Sequence, residues 1–251
     1  MMKRSKRVHR IRVVGVPVDV IPPEDMESVV AEMLAGSGRQ QVVFLRLRDL
    51  MRARRSAEFR RLVENAGLIV PITPGIVRGA RFLRRREPVR YEPFNFVIRL
   101  LGILEGRRAS AYLFGLGRKY LMQVEHNLRE TFPGLRLVGR YPGYYPRGLE
   151  QDIITAIKKA QPTLLLVGPG VPWPDRWILR HKAVLNPGIY LAAPEVLEIF
   201  ADRRAREAEG RSARALHAVS GIVLHPWRVL RLFMYLWYGL LLLVYRLFGL
   251  R

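Results

Sequence analysis

Three observations predict an α/β fold built on a parallel sheet. Short β-rich runs alternate with helical stretches over most of the 251 residues, the pattern of repeated strand–helix–strand units. The run TLLLV at 163–167 is apolar without interruption, as expected of a strand covered on both faces. Glycine-bearing loops follow two of the predicted strands and open helices, in YLFGLGRKY and LVGPGVPWPDRW. The expected architecture is a Rossmann-like parallel sheet with flanking helices, followed by a helical C-terminal appendage.

Residues 11–14 and 16–20 read as strands, and Pro22-Pro23 opens a helix running to residue 34 because proline suits a first turn. A strand is predicted at 41–45. Ser56 is placed to cap a helix through residue 65, its hydroxyl accepting from a first-turn amide. A strand at 68–71 precedes helices at 74–82 and 94–104. The second half continues with a strand at 110–114, a helix at 119–132, a strand at 135–139 and a helix at 149–160. After 163–167 come a helix at 174–183 and a strand at 189–192. From Asp202 the chain turns highly charged, in ADRRAREAEGRSARA, and a boundary is expected near residue 205. The predicted units are thus a core over 1–205 and an appendage over 206–251.

Composition narrows the function classes. The 49% hydrophobic content excludes a disordered chain, and a mean hydropathy near zero excludes a polytopic membrane protein. The absence of cysteine removes disulfides, thiolate metal sites and thiol nucleophiles. No apolar signal region follows the basic MMKRSKRVHR start. Forty-three basic against 21 acidic residues leave a charge of +22, which draws polyanions: lipid headgroups, nucleic acid or phosphorylated substrates. No helix-turn-helix, zinc-finger or RNP signature accompanies the charge, so nucleic acid is not the expected partner.

The segment PWRVLRLFMYLWYGLLLLVYRLFGLR, from Pro226 to the last residue, indicates where the protein works. Its uncharged run, 232–245, is shorter than the roughly 20 apolar residues that span a bilayer. At helical spacing Arg228, Arg231 and Arg246 form one stripe, while Phe233, Tyr235, Trp237 and Tyr238 surround it. That arrangement suits a helix lying on an anionic membrane surface, with Arg228, Arg231, Trp237 and Arg246 as contacts. A buried core helix and a homo-oligomerising helix are the other readings.

Ligands of open α/β sheets bind beyond the carboxyl ends of the strands. There, Gly115 and Gly117 with Arg118 and Lys119 match the needs of a diphosphate: close backbone approach, a helix N-terminus and two cations. A tight turn is the plainer reading. Gly168 and Gly170 follow the buried strand, and Asp175 stands at the next helix start. There it serves either the helix dipole or sugar hydroxyls. Thr73 reads as the cap of the helix at 74–82. The five histidines show no metal-ligand spacing.

The order of landmarks resembles the WecG/TagA/CpsF family of bacterial glycosyltransferases. GVPVD is followed by VP-x-x-x-GIV at 70–77, Arg90 with Phe94-Asn95, and YLFG at 112–115. FPGLRLVGRYPGYY, G-x-P-x-x-D-x-W at 170–177 and a late PWR complete the series. The likeness runs from about Ile11 to Arg228. It implies a Rossmann-like core with a membrane-docking appendage on the cytoplasmic side of the bacterial inner membrane. It also implies transfer of an N-acetylhexosamine-type sugar from a UDP-sugar to a polyprenol-diphosphate-linked sugar, without metal or cofactor, in cell-surface polysaccharide or teichoic acid synthesis.

For a transferase, Gly115, Gly117, Arg118, Lys119, Gly168, Gly170 and Asn95 are expected at the donor, Gly115 and Asn95 from the resemblance and the others from their strand-end loops. Arg90 goes to a phosphate, and Asp175 to the sugar-contacting acid. Departures accompany the resemblance. The family's VPDG falls on Val70-Pro71-Ile72-Thr73, so Ile72 replaces the aspartate proposed as general base. The family's T-P-N-A falls on Phe44-Leu45-Arg46-Leu47, its Gln on Pro174, and an Asp on Asn95. Base assistance contributes about 10²–10⁴-fold in rate. Two expectations follow: a divergent transferase whose base is Asp175, Glu195 or His217, or a catalytically degenerate homologue that binds lipid-linked sugar or a partner.

Overall fold

The computed structural model describes residues 8–203 and 226–249, with side chains described for 8–203 and 233–249. Six strands form one parallel sheet: β3 (Arg39–Leu45), β4 (Leu68–Pro71), β5 (Ser110–Phe114), β6 (Arg136–Tyr141), β7 (Leu164–Val167) and β8 (Gly188–Ala192). Their order is β4-β3-β8-β7-β5-β6, and every described pairing in it is parallel. Beside it a two-stranded antiparallel hairpin pairs β1 (His9–Val13) with β2 (Val16–Val20).

Side-chain alternation explains the continuous apolar runs. Leu164 and Leu166 of β7 face one layer while Leu165 and Val167 face the other, so no position is left for a polar residue. Helices α1 (Met26–Ala35), α5 (Pro93–Gly106), α6 (Arg118–Thr131) and α9 (Pro194–Phe200) cover the first face. The second face carries α2 (Leu47–Arg55), α3 (Ala57–Glu64) and α4 (Pro74–Phe82) at one end. Helices α7 (Glu150–Ala160) and α8 (Pro174–His181) cover the other end.

Strands β4 and β5, and helix α4, occupy the bounds expected of them. Ser56 caps α3, its hydroxyl accepting from Phe59 N at 3.3 Å. Thr73 departs from expectation. It holds the N-cap position of α4 in extended backbone, but its carbonyl takes the Ile76 amide and its Oγ1 accepts from Leu47 N at 3.0 Å. The hydroxyl thus ties the start of α2 to the start of α4. Helix α2, which four arginines within nine residues hide from a search for apolar periodicity, follows β3 directly.

Asp19 fastens the hairpin to the sheet. Its carboxylate is buried, accepts from Arg10 Nε at 2.6 Å and Nη2 at 2.7 Å, and takes the Ile69 amide of β4 at 2.7 Å. The turn between the strands is tight, with Val14 at φ 51° and Gly15 at φ 80°, the two-positive-φ geometry that matches strand twist.

The C-terminal helix, Pro226–Leu247, packs on the core through one face. Tyr238 is buried and donates to Gly75 O at 3.1 Å, while Met234, Leu241, Leu242 and Tyr245 pack against the α2–α4 cluster. The other face is apolar and open, with Phe233 66%, Leu236 64% and Leu240 50% exposed. Arg246, expected at a lipid surface, is exposed and also holds the core. It donates to Phe82 O at 3.0 Å and lies 4.7 Å from that ring's centroid, because a free carbonyl at the end of α4 is a ready acceptor. The side chains of Arg228 and Arg231, the charged segment 206–216 and His217 lie outside the described residues. No described helix is long and apolar enough to cross a membrane.

Removing Asp19 strands a buried guanidinium and the Ile69 amide. Asp19→Ala is expected to lower unfolding stability by about 3–5 kcal/mol, read as a lower urea midpoint at unchanged m-value.

Candidate functional site

All six parallel strands point their carboxyl ends at one rim. Strand β3 leads outward to β4, whereas β8 arrives from the other half of the sheet through β7. Loops therefore diverge between β3 and β8, the geometry that opens a ligand crevice. A cleft of about 230 Å³ lies there, lined by Phe44, Arg46, Ile72, Pro93, Asp175 and Glu195 among others. Arg48, Arg52 and Arg176 supply further positive charge, and Asp49 a further acid.

Asp175 occupies the first turn of α8, as expected, yet it does not cap the helix. Part of the residue faces the cleft, while Oδ1 is sealed from solvent without a hydrogen-bond partner. Its backbone carbonyl accepts from Gln41 Nε2 at 2.9 Å, and Gln41 Oε1 is likewise buried without a donor. Burial first, and then the negative charge of Asp49, push the Asp175 carboxyl up to about 7; Gln41 and Arg46 oppose the shift. Burial also raises Asp49, against a hydrogen bond from the Arg46 amide and the charges of Arg46, Arg48 and Arg52. The cleft therefore holds an acid poised to exchange a proton near neutrality.

Trp173 stands at the entrance, 62% exposed, in left-handed backbone at φ 50°. The guanidinium carbons of Arg176 and Arg52 lie 4.9 and 5.3 Å from its ring centroid, within cation–π range. A bulky residue held at positive φ is a strained position of the kind that collects at binding sites. Arg46 reaches across the cleft to an ion pair with Glu195.

Ile72 lines this cleft and packs against the sheet core, so no carboxylate stands at that position. Arg90 is exposed and does not line it; its neighbour Tyr91 is anchored by its amide to Pro71 O at 3.1 Å and by its hydroxyl to Ile21 O at 2.9 Å. Asn95 is exposed on the first turn of α5 and donates to Glu92 Oε2 at 2.9 Å.

The glycine loops lie further along the rim and serve one another. A Cβ on Gly115 would meet Gly168 backbone at 2.7 Å, and one on Gly143 would meet Pro169 O at 2.5 Å. The Gly115 amide donates to Tyr141 O and the Gly168 amide to Phe114 O, so neither is free to bind a phosphate. Gly117 is different: it is the N-cap of α6, with open space where a Cβ would stand. Exposed Arg118 and Lys119 flank it and line a separate shallow depression with Met122 and Gln123. Gly170 contributes to a third hollow of about 630 Å³, with Tyr144, Tyr145, Glu150, Trp177 and Arg180. There Trp177 Nε1 donates to Glu150 Oε1 at 2.8 Å.

Of the residues expected from sequence, the main cleft gathers Asp175, Ile72 and Glu195. Arg46, Asp49, Arg52, Trp173 and Arg176 were missed. For Arg46, Asp49 and Arg52 the available signal was RLRDLMR directly after the apolar strand at 41–45, a cationic run at the strand end where ligands of such sheets bind.

A parallel α/β sheet with a cationic, acid-bearing cleft at its strand divergence defines a protein of the Rossmann-like class. The chain matches the glycosyl transferase WecG/TagA/CpsF family over residues 11–251, and it belongs to that family. It is also 20% identical over 170 residues to an N-acetylglucosaminyldiphosphoundecaprenol N-acetyl-beta-D-mannosaminyltransferase of Bacillus subtilis (strain 168). That match covers 66% of this chain, and the chain spans 64% of the relative's length.

The raised Asp175 pKa fixes a sign. The folded protein holds this proton between the ordinary carboxylate value of 3.8 and about 7, a range in which the unfolded chain has released it. Stability contributed by the carboxyl should thus fall as pH rises across that window and level off above it. Asp175→Asn should remove this component, measured as the difference in urea midpoint between variant and wild type from pH 5 to 8.

Proposed function

We propose that the protein is a membrane-surface glycosyltransferase that moves an N-acetylhexosamine-type sugar from a UDP donor to a polyprenol-diphosphate-linked sugar. The observation that carries this reading is Asp175, a proton-accepting acid set among arginines at the strand divergence of a family member. The acceptor hydroxyl attacks the anomeric carbon of the donor and passes its proton to Asp175. The new carbon–oxygen bond forms as the bond to the UDP β-phosphate oxygen breaks, and the diphosphate leaves with that electron pair. Arg48, Arg52 and Arg176 meet the developing charge, while Trp173 offers a flat face to a base or sugar. Arg46 must loosen its hold on Glu195 for either to contact the donor.

The exposed apolar face of the C-terminal helix supports docking at a lipid surface, where such an acceptor resides. We place the protein at the cytoplasmic face of the bacterial inner membrane, on cell-surface polymer synthesis. Gly117, Arg118 and Lys119 remain candidates for a second phosphate contact.

A second reading is a sugar-binding protein without transfer, favoured by Ile72 in the cleft and by the Arg46–Glu195 bridge across it. UDP release from UDP-N-acetylhexosamine donors with a polyprenol-diphosphate-linked acceptor separates the two. Transfer predicts release that rises with pH through about 7, following ionisation of Asp175. Asp175→Asn should lower kcat/KM by roughly 10²–10⁴-fold with donor binding retained. Donor binding without release, in wild type and variant alike, would establish the non-catalytic reading.

A further inference from the structure

Beside the polar cleft lies a groove of opposite character. About 700 Å³ in volume, it runs between α4 and the C-terminal helix and is lined by Leu47, Gly75, Tyr235, Gly239, Leu242 and Leu243, within the size range of small-molecule sites. Adjacent residues divide between the two cavities. Arg46 and Arg48 line the cleft while Leu47 lines the groove; Ile72 lines the cleft while Pro74 and Gly75 line the groove. The wall between them is the Leu47–Thr73 hydrogen bond at 3.0 Å. Arg78, exposed on α4, adds a cation to the otherwise apolar lining.

We propose that this groove holds the first isoprene units of the acceptor's polyprenyl chain, with the diphosphate lying over the wall between Arg78 and the arginines of the cleft. The assignment rests on the lipid-linked acceptor reading above. Charge and continuity favour such a lipid over a second copy of the chain. The groove is flanked by cations suited to a diphosphate and adjoins the proposed chemistry. It also shares a helix with the open apolar face of Phe233, Leu236 and Leu240. A lipid entering from a membrane surface would meet apolar surface up to the wall and arginine beyond it.

Gly239 permits a clean test, because it lines the groove and a Cβ there would meet nothing within 4 Å, and an unchanged melting temperature checks that a larger side chain leaves the helix in place. Gly79 does not, since its Cβ would stand 1.9 Å from the Tyr238 hydroxyl and undock the helix. The full chain is titrated calorimetrically with farnesyl diphosphate and with inorganic diphosphate. Burying one isoprene unit should make the first bind about tenfold or more tighter. Gly239→Phe should erase most of that margin while leaving inorganic diphosphate binding and the melting temperature unchanged. Gly239→Ala, and Leu240→Ser on the outer face, should keep it. Equal affinity for the two ligands in wild type, a margin that survives Gly239→Phe, or one lost in Leu240→Ser would overturn the assignment. UDP release is scored separately. Farnesyl diphosphate binding through the groove without release removes transfer and leaves the groove assigned; release with no chain preference does the reverse.

Discussion

A parallel sheet buried on both faces is the constraint from which the rest follows. Apart from Gln40 and Gln41 of β3 and the edge strand β6, its strands admit almost no polar side chains between their ends, so chemistry is confined to the rim where the chain leaves the sheet. Parallel connection brings every carboxyl end to the same rim. The divergence of loops between β3 and β8 then opens one crevice in it. Arg46, Ile72, Asp175 and Glu195, widely separated in sequence, meet there because each follows or lies just beyond a strand end.

Within that crevice the balance of burial and charge decides what the acids can do. Four arginines line it, and proximity alone would hold a carboxylate ionised well below neutrality. Burial of Asp175, reinforced by Asp49, outweighs them. In the proposed reaction the arginines along the cleft wall would meet phosphate charge, while one largely desolvated acid retains affinity for a proton. Separating these tasks between the cleft's cations and an acid whose Oδ1 is sealed from solvent would, in that transfer, let the same small cavity bind a diphosphate and accept a proton.

The order and type of most elements were legible in the sequence, because apolar runs of strand length and their glycine or proline borders survive without tertiary context. Two short helices were not. In α2, arginines crowd every exposed position, and α9 spans only seven residues, from Pro194 to Phe200. The site was half legible. Asp175 was singled out by its place at a helix start, but its raised proton affinity depends on burial and on Asp49, brought beside it by folding. The glycine loops misled in the opposite way. Gly115 and Gly168 look like a phosphate cradle, yet a Cβ on Gly115 would strike the Gly168 backbone and one on Gly168 the Leu197 side chain. Only contact across strands, which sequence spacing does not encode, distinguishes those two uses of a glycine.

The C-terminal helix joins these strands of argument. A helix that is apolar around most of its circumference must bury both sides, and here the core covers only one. Tyr238 and Arg246 spend their polar groups on the carbonyls of Gly75 and Phe82, which fixes the helix against α4 and turns the remaining apolar face outward. Helix α4 in turn starts at Thr73, whose hydroxyl holds the first turn of α2 and hence the arginines of the cleft. The position of the outward face is thus tied, through the helix's hydrogen bonds to α4 and that of α4 to α2, to the position of the cationic rim. A lipid surface that covers the one lies at a fixed distance from the other, which is the geometric requirement for acting on a substrate whose reactive head is polar and whose tail remains in the membrane.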